Sequence, residues 1–381
     1  MNIKWALLIP IIIILTILGR ERQQYHNVYR ILLILVISFI SGFGGIASTD
    51  HYNYAESYRM FANDGFHLQL SNIIDLSRNG FEVGYSFLML LCHKIGLGEA
   101  GFFMVVAIIT NTMPVLYLYK HSYPVLSIIA LFFVFGYMGQ QTNLVRQYLA
   151  IGIMFGFLDS LFEGNLPKYL LGVVIASMFH FSAFIYLLLI PIYFIRSSKT
   201  LILLKFVLLS LLAVSIVMAF GFIHLDVLRL VNLTDRYAIY STTDNTMGIT
   251  LSISFAVIFS SLSIITIVFS LNINIKYLSI ISIAAIMSNI SFPYPNLARL
   301  VAYFSAFATI YFIQYLDPSL YHFHLSTIQN GRAVRNNKVD HILFFFRYGI
   351  VLYSIFVLVR IYMFSDLPLM SEMYSLSDLF Q

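Results

Sequence analysis

Apolar segments separated by short polar ones occupy nearly the whole chain. Many of these segments approach or exceed the roughly 20 residues that a helix needs to cross a lipid bilayer. The chain is 60% hydrophobic and only 10% charged, whereas a soluble domain carries about 25% charged residues. The pattern predicts an all-α polytopic membrane protein, a single membrane domain over residues 1–381, with about 12 transmembrane helices, some of them re-entrant or broken.

Three longer polar stretches interrupt the apolar pattern, at about residues 47–81, 223–248 and 317–341. Arg20, Arg22 and Arg30 follow the first apolar segment, so the positive-inside rule places them in the cytoplasm. Counting crossings from there predicts that the first two stretches are extracytoplasmic and that the third, with Arg332 and Arg335, is cytoplasmic. Acids and tyrosines in the outer stretches suit a sugar-facing surface, although an interfacial aromatic belt has the same composition.

The charge and the cysteine count narrow the possible functions. The net charge of +5 is spread over the loops, which indicates membrane orientation and not a nucleic-acid surface. Cys92 is the only cysteine, so a disulfide framework and a cysteine metal site are both excluded. The sequence also shows no metal-ligand cluster and no Asp-x-Asp pair. We therefore expect neither a metal nor another cofactor.

A polar stretch from Gly139 to Ala150, GQQTNLVRQYLA, separates two apolar blocks. Asn143, Arg146 and Gln147 share one face of a helix with Ala150, because they recur at helical spacing. A fixed cation between apolar segments is costly unless it faces a cavity, a partner or an anionic ligand. The planar arginine fork suits a phosphate. The alternative is a loop arginine that reaches the lipid headgroups.

A second polar break lies within the long apolar segment from Tyr169 to Ile195. Phe179-His180-Phe181-Ser182 and Pro191 interrupt it. The segment is either one kinked crossing or two short limbs that turn at His180. Hydropathy favours a single crossing, which places Arg146 on the cytoplasmic side. Two limbs, with Lys120 in the cytoplasm, would place Arg146 and His180 on the outer side.

Taken together, the polar positions resemble the EpsG-like family of exopolysaccharide proteins, which are Wzy-type polymerases of lipid-linked repeat units. The matching patches follow one another over most of residues 45–305. They are Ser48-Thr49-Asp50 with Tyr54 and Tyr58; Glu82-Val83-Gly84-Tyr85; Asn143-Leu144-Val145-Arg146-Gln147; Phe179-His180-Phe181-Ser182-Ala183; Arg236-Tyr237; and Arg299 with Tyr303-Phe304.

The resemblance implies a GT-C-like polymerase bundle in the bacterial inner, or cytoplasmic, membrane. It implies transfer of a glycan from undecaprenyl diphosphate onto a second lipid-linked unit, without a metal. Both substrates would lie in the outer leaflet, so the implied function favours the two limbs and predicts that Arg146 faces the outer side. Its partners would be undecaprenyl-diphosphate-linked oligosaccharides, the lipid bilayer, a chain-length regulator and a flippase, but no nucleic acid.

The implied reaction assigns candidate roles to residues of the matching patches. A general base would be one of Asp50, Glu82 and His180. The diphosphates would be bound by Arg146, Arg299, Gln147 and Asn143. Sugars would contact Tyr54, Tyr58, Tyr85, Arg236 and Tyr303.

Ordinary structural roles would explain the three candidate bases equally well. Asp50 would be a helix cap, Glu82 would be an acid at a helix N-terminus, and His180 would be hydrogen-bonded inside a bundle. Two other functions also remain open. One is a flippase for lipid-linked oligosaccharides, although matching broken repeats are not evident. The other is a membrane acyltransferase, for which His180 alone is little support.

Overall fold

The computed structural model describes residues 3–21, 24–43, 49–63, 80–121, 124–134, 136–194, 198–219, 256–264, 267, 275–291, 298–315, 326–329 and 332–335. Contacts divide the chain into two compact units. The first unit comprises Met1–Leu187 and Tyr353–Gln381, and the second comprises Leu188–Leu352.

The first unit is built from helices. In chain order they are α1 (Ile3–Glu21), α2 (His26–Phe43), α3 (Thr49–Asn63), α4 (Val83–Lys94), α5 (Glu99–His121), α6 (Pro124–Ile128, continued by a π-helical turn Ile129–Val134), α7 (Tyr137–Asn143), α8 (Val145–Phe155), α9 (Leu158–Phe162) and α10 (Leu166–Ser177). A 3₁₀ helix, Phe181–Phe194, begins in this unit. Among the described residues, two helices are long and apolar enough to cross a membrane, α2 and α5.

Polar and small residues join α2, α5 and α8. The side-chain amide of Asn111 in α5 donates hydrogen bonds to the hydroxyls of Ser38 (3.3 Å) and Ser41 (3.1 Å) in α2. A Cβ atom on Gly152 of α8 would lie 2.4 Å from the carbonyl oxygen of Thr110, so a glycine is required for this close approach. Apolar helices in a membrane associate through such small residues and interhelical hydrogen bonds.

Basic residues mark one end of this unit, which we call the basic end and define by Arg30 and Lys120. The guanidinium of Arg30 lies 4.4 Å from the ring centroid of Tyr119, and its Nε donates to the carbonyl of Gly19 (3.3 Å). The ammonium of Lys120, at the end of α5, contacts the carboxylate of Asp159 (2.6 Å). The ends of α1 and α5 and the start of α2 therefore meet here.

Helix α5 leads from the basic end to the opposite end of the unit. Its first residue, Glu99, binds Arg59 of α3 at 2.6 Å, and Glu99 and Lys120 are separated by roughly 30 Å at 1.5 Å per residue. Helices α5 and α8 run in the same direction, because Gly152 packs against Thr110 while the later Asp159 contacts Lys120. The start of α8 is therefore directed away from the basic end.

The break at His180 is a reversal of the chain. The hydroxyl of Tyr169, in the first turn of α10, donates to the carbonyl oxygen of Tyr186 at 2.7 Å. Seventeen residues of straight helix would separate these residues by about 25 Å. The chain must therefore turn back after α10, and of the two alternatives left open by the sequence the structure has the two limbs. The single crossing favoured by hydropathy is wrong.

The second unit contains α11 (Ser198–Ala219), a helical stretch at residues 256–264, α12 (Ile275–Ser291) and α13 (Ala298–Tyr315). Its interior has a clamp like the one at Asn111. The amide of Asn289 donates to the hydroxyls of Ser215 (3.0 Å) and Ser260 (3.1 Å).

One short hairpin departs from the predicted all-α fold. Strands β1 (Ser326–Gln329) and β2 (Arg332–Arg335) pair antiparallel within the predicted cytoplasmic stretch, with Gln329 opposite Arg332. The two residues between them in the sequence, Asn330 and Gly331, are the pair that favours a two-residue hairpin turn.

The helical architecture is thus confirmed, but the predicted number of membrane crossings is not. About twelve crossings and a single membrane domain stay predictions. Of the predicted outer stretches, residues 47–81 contain the helix α3, whereas residues 223–248 lie outside the described residues.

Candidate functional site

Glu82 stands where the start of α4 meets the reversal after α10. Gly80 adopts a left-handed conformation (φ 100°), and Glu82 follows as the extended N-cap of α4. The amide of Gly84 donates to the carbonyl of Met178 at 2.8 Å, and a Cβ atom on Gly84 would lie 2.8 Å from that oxygen. A glycine at position 84 therefore allows the contact that brings Glu82 beside His180.

The carboxylate of Glu82 joins an arginine and a histidine. Its Oε2 accepts a hydrogen bond from Nη1 of Arg146 (2.6 Å). Its Oε1 lies 3.0 Å from Nδ1 of His180 and accepts from the backbone amide of Phe181 at 3.1 Å. Both carboxylate oxygens are thus engaged. The three side chains come from the start of α4, the start of α8 and the reversal after α10.

Aromatic rings surround the guanidinium of Arg146. Its Cζ lies 5.3, 5.1 and 6.0 Å from the ring centroids of Tyr54, Phe81 and Tyr85. Its Nε donates to the hydroxyl of Tyr54 (3.2 Å), and Nη1 also donates to the carbonyl of Gly80 (2.9 Å). Nη2 makes no hydrogen bond to any residue that the structure describes. The side chain is 19% exposed, so the cation is enclosed but reachable.

The surroundings keep Glu82 ionised. Burial would raise the pKa of its carboxyl, but the hydrogen bond with His180 and the charge of Arg146 outweigh burial and hold that pKa below its ordinary value. A carboxylate facing Nδ1 favours the tautomer with the proton on that nitrogen, which leaves Nε2 as a proton acceptor. In the described part of the chain Nε2 has no hydrogen-bond partner. The arrangement can therefore bind an anion at Nη2 and take a proton at Nε2.

Helix α3 covers this site and is fixed to the start of α5. Besides the contact of Tyr54 with Arg146, the hydroxyl of Tyr58 donates to the carbonyl of Leu97 at 2.7 Å, and its ring stacks on Phe102. Arg59 binds Glu99 at 2.6 Å. The predicted sugar-binding residues Tyr54 and Tyr58 thus anchor the helix that lies over Arg146.

Comparison with protein-family models decides the family. The model of the EpsG family matches residues 27–320. The chain belongs to the EpsG family. A search of curated proteins finds no match, and a search of solved structures finds none either. The resemblance inferred from the polar patches is therefore confirmed, and EpsG membership with the apolar helices makes this a membrane protein of exopolysaccharide synthesis.

The other candidate residues of this EpsG protein belong to several different elements. Asn143 ends α7 half-buried, and Gln147 is buried in the first turn of α8. Asp50 belongs to the first turn of α3, but its side chain lies outside the described residues, as does Arg236. Arg299 is exposed and Tyr303 is fully buried, both in α13 of the second unit.

Several contributors to the EpsG site were not predicted from the sequence. They are the carbonyl of Gly80, the ring of Phe81 and the backbone amide of Phe181. Backbone groups carry no sequence signal. Phe81 directly precedes Glu82 in a matching patch, so its position was the one available indication. The role of Gly84 was equally hidden, because it depends on a contact with the distant Met178.

Proposed function

We propose that this EpsG-family protein is a metal-independent membrane glycosyltransferase of the bacterial cytoplasmic membrane. It transfers a growing glycan from undecaprenyl diphosphate onto a sugar of a second lipid-linked repeat unit. One observation carries the proposal. Glu82 binds Arg146 through one oxygen and His180 through the other. Nη2 of Arg146 is left available as an N–H donor, and Nε2 of His180 is left available as a proton acceptor. Family membership supports the coarser statement, an exopolysaccharide-related polymerase.

Arg146 binds and stabilises the diphosphate. Its contacts with Tyr54, Gly80 and Glu82 occupy Nε and Nη1, so the N–H groups of Nη2 meet the phosphate oxygens first. Hydrogen bonds from a charged donor to a phosphate are stronger than neutral ones, more so in a poorly screened site. The charge that develops on the leaving diphosphate is the charge that such a donor stabilises.

His180 acts as the general base. The acceptor hydroxyl gives its proton to Nε2 while its oxygen bonds to the anomeric carbon of the donor sugar. The bond from that carbon to the diphosphate breaks, and the diphosphate leaves with the electron pair. Glu82 orients the imidazole and stabilises its protonated form. Glu82 does not itself act as the base, because both of its oxygens already accept hydrogen bonds. Of the candidate bases Glu82 and His180, the geometry favours His180.

The position of the site supports a reaction on the outer face. Arg146 starts α8 at the end of the first unit away from Lys120 and Arg30, and the positive-inside rule assigns Arg30 to the cytoplasm. We expect a cysteine at position 143 (Asn143→Cys) in a Cys92→Ser background to react with an impermeant thiol reagent added outside. A cysteine replacing exposed Lys120 is the matched control and should react only after the membrane is opened. Labelling of position 143 from the cytoplasm alone would contradict the outer-face placement.

The lipid-linked glycans of a deletion strain test the reaction itself. Loss of a polymerase leaves single repeat units displayed on the outer face, and Arg146→Ala should reproduce that state with a normal amount of membrane protein. Loss of a flippase leaves the units on the cytoplasmic face. Loss of an acyltransferase leaves full-length polymer without a substituent. Either of the last two results would replace the polymerase by the corresponding alternative.

A further inference from the structure

Tyr85, whose ring centroid lies 6.0 Å from the guanidinium carbon of Arg146, has a buried hydroxyl without a hydrogen-bond partner among the described residues. Tyr85 is 0% exposed, and no described residue accepts or donates a hydrogen bond at its hydroxyl. Buried hydroxyls in folded proteins are nearly always hydrogen-bonded, and an exception calls for a water, an ion or a ligand. This exception belongs to the ring cluster around the arginine that the proposed function assigns to the diphosphate.

Other buried tyrosines of the first unit do find partners. The hydroxyl of Tyr58 donates to the carbonyl of Leu97 (2.7 Å), that of Tyr169 to the carbonyl of Tyr186 (2.7 Å) and that of Tyr137 to the carbonyl of Thr110 (3.4 Å). Each of these hydroxyls ties two segments together. Tyr85 lies in the same aromatic cluster as Tyr58 but makes no such tie, so its hydroxyl is not explained by packing.

The ring of Tyr85 is held by neighbours and has no face left for a sugar. It stacks on Phe81 with 5.9 Å between centroids, and Tyr54 and Phe102 approach at 5.8 and 5.7 Å. The guanidinium of Arg146 lies 6.0 Å from the ring centroid. What Tyr85 offers a ligand is therefore its hydroxyl and not, as the sequence suggested, a stacking surface.

We propose that the hydroxyl of Tyr85 donates a hydrogen bond to an oxygen of the anionic group that Arg146 binds. This inference rests on the proposed function, since it names a second donor for the same diphosphate. The carboxylate of Glu82 already has three donors, and no described residue accepts a hydrogen bond from the phenol. A phosphate oxygen held by Nη2 supplies that acceptor, and a hydrogen bond to an ionised acceptor is among the stronger ones.

Binding of inorganic pyrophosphate to the purified full-length protein tests the proposal. We expect Tyr85→Phe to weaken binding roughly ten- to hundredfold, as expected for one lost hydrogen bond to a charged group. The thermal midpoint without pyrophosphate should stay the same or rise, because the change removes an unsatisfied buried hydroxyl. Pyrophosphate should then raise the midpoint of wild type more than that of Tyr85→Phe at equal concentration.

Tyr137→Phe, in α7, is the matched control. It removes a buried hydroxyl that does have a partner, the carbonyl of Thr110. Its midpoint should fall, while its affinity for pyrophosphate should stay at the wild-type value. A Tyr85→Phe protein with a lowered midpoint and unchanged affinity would behave like this control, and it would overturn the proposed contact.

Arg146→Ala separates this inference from the proposed function. If Arg146→Ala loses pyrophosphate binding while Tyr85→Phe keeps it, the hydroxyl does not contact the anion and only the inference on Tyr85 is wrong. If Arg146→Ala binds pyrophosphate like wild type, or wild type does not bind it, the anion site itself is wrong. Parallel losses in both variants, with the control unaffected, support both.

Discussion

Two carboxylates in the first unit have the same kinds of partner but differ in their surroundings. Glu82 binds Arg146 (2.6 Å) and His180 (3.0 Å). At the basic end, Asp159 binds Lys120 (2.6 Å) and His121 (2.8 Å). Each cluster thus pairs one acid with one fixed cation and one imidazole.

Ionisation does not distinguish the two acids. Burial would raise the pKa of Asp159, but its hydrogen bonds with His121 and Lys120 lower that pKa to about 2. The pKa of Glu82 is lowered for the corresponding reasons. A low carboxyl pKa shows that an acid is paired, and it does not show what the pair does.

The exposure of the paired cation and the division of the oxygens do distinguish them. Lys120 is 59% exposed and shares the single oxygen Oδ2 of Asp159 with His121. Arg146 is 19% exposed among three aromatic rings, and Glu82 gives one oxygen to Arg146 and the other to His180. The Asp159 cluster therefore fastens helix ends at a surface, whereas the Glu82 cluster presents two oriented groups within an enclosed site.

Among the changes that test this contrast, replacing Arg146 is expected to have the largest effect on polymer formation. A lysine in place of Arg146 keeps the charge but loses the planar fork that serves Tyr54, Gly80 and Glu82 while leaving Nη2 available. We expect Arg146→Lys to reduce polymer formation about 100- to 1000-fold, the usual effect of losing one transition-state donor. The measurement is the length distribution of surface polysaccharide at matched protein level.

The matched change at the other cluster is Lys120→Arg, which should leave the polymer unchanged because an exposed ion pair accepts either cation. Near-normal polymer from Arg146→Lys would mean that Arg146 supplies only charge, and the contrast between the clusters would be lost. Arg299→Lys tests the separate prediction for α13 in the same assay. A wild-type distribution there would remove Arg299 from diphosphate binding.

The histidines provide the next largest effect. His180→Gln retains a polar side chain but cannot accept a proton, so polymer formation should fall about 100-fold, the lower range for loss of a general base. His121→Gln should change it less than about twofold, because His121 shares its acceptor with Lys120 at a surface. Initial rates on isolated lipid-linked units measure both. Equal rates for the two variants would remove proton transfer from the role of His180.

The sequence identified Arg146, Glu82 and His180 as candidates but could not show that they are in contact. Arg146 and Glu82 lie 64 positions apart, and His180 and Glu82 lie 98 apart. Their polar character within apolar surroundings was visible, as was their resemblance to EpsG patches. Their contact depends on the close approach of Gly84 to Met178 and on the reversal after α10, and neither follows from residue types.

The topology near His180 shows where hydropathy was misleading. Hydropathy measures only how long an apolar segment is, and Tyr169 to Ile195 is long enough for one crossing. The reversal is held by a tyrosine hydroxyl bonded to the carbonyl of Tyr186 and by the hydrogen bond of Phe181 to Glu82. Such contacts are satisfied only in the folded chain. The turn at His180 was therefore one of two alternatives that the sequence offered, but hydropathy could not select it.

A change at Gly84 should have an intermediate effect. The Cβ of Gly84→Ala would lie 2.8 Å from the carbonyl oxygen of Met178, so the start of α4 must move away from the reversal. Small displacements of catalytic groups are costly for rate, and we expect polymer formation to fall about tenfold. Gly139→Ala is the control, because Gly139 is exposed in α7 with no atom near the added Cβ. A wild-type rate for Gly84→Ala would show that Glu82 and His180 need not be held together.

The smallest effect is expected at Asp159 itself. Asp159→Asn removes the charge but keeps an oxygen that can accept from Lys120 or His121, and the exposed partner remains hydrated. Ion pairs of this kind contribute about 0–1 kcal/mol, so the amount of folded protein should hardly change and polymer formation should stay within about twofold of wild type. The assay is the same initial rate used for His180→Gln, with the thermal midpoint measured in parallel. A large loss of rate at an unchanged midpoint would mean that the basic end takes part in the reaction. The two clusters would then be parts of one mechanism, and the exposure of the paired cation would not be the property that separates a functional carboxylate from a structural one.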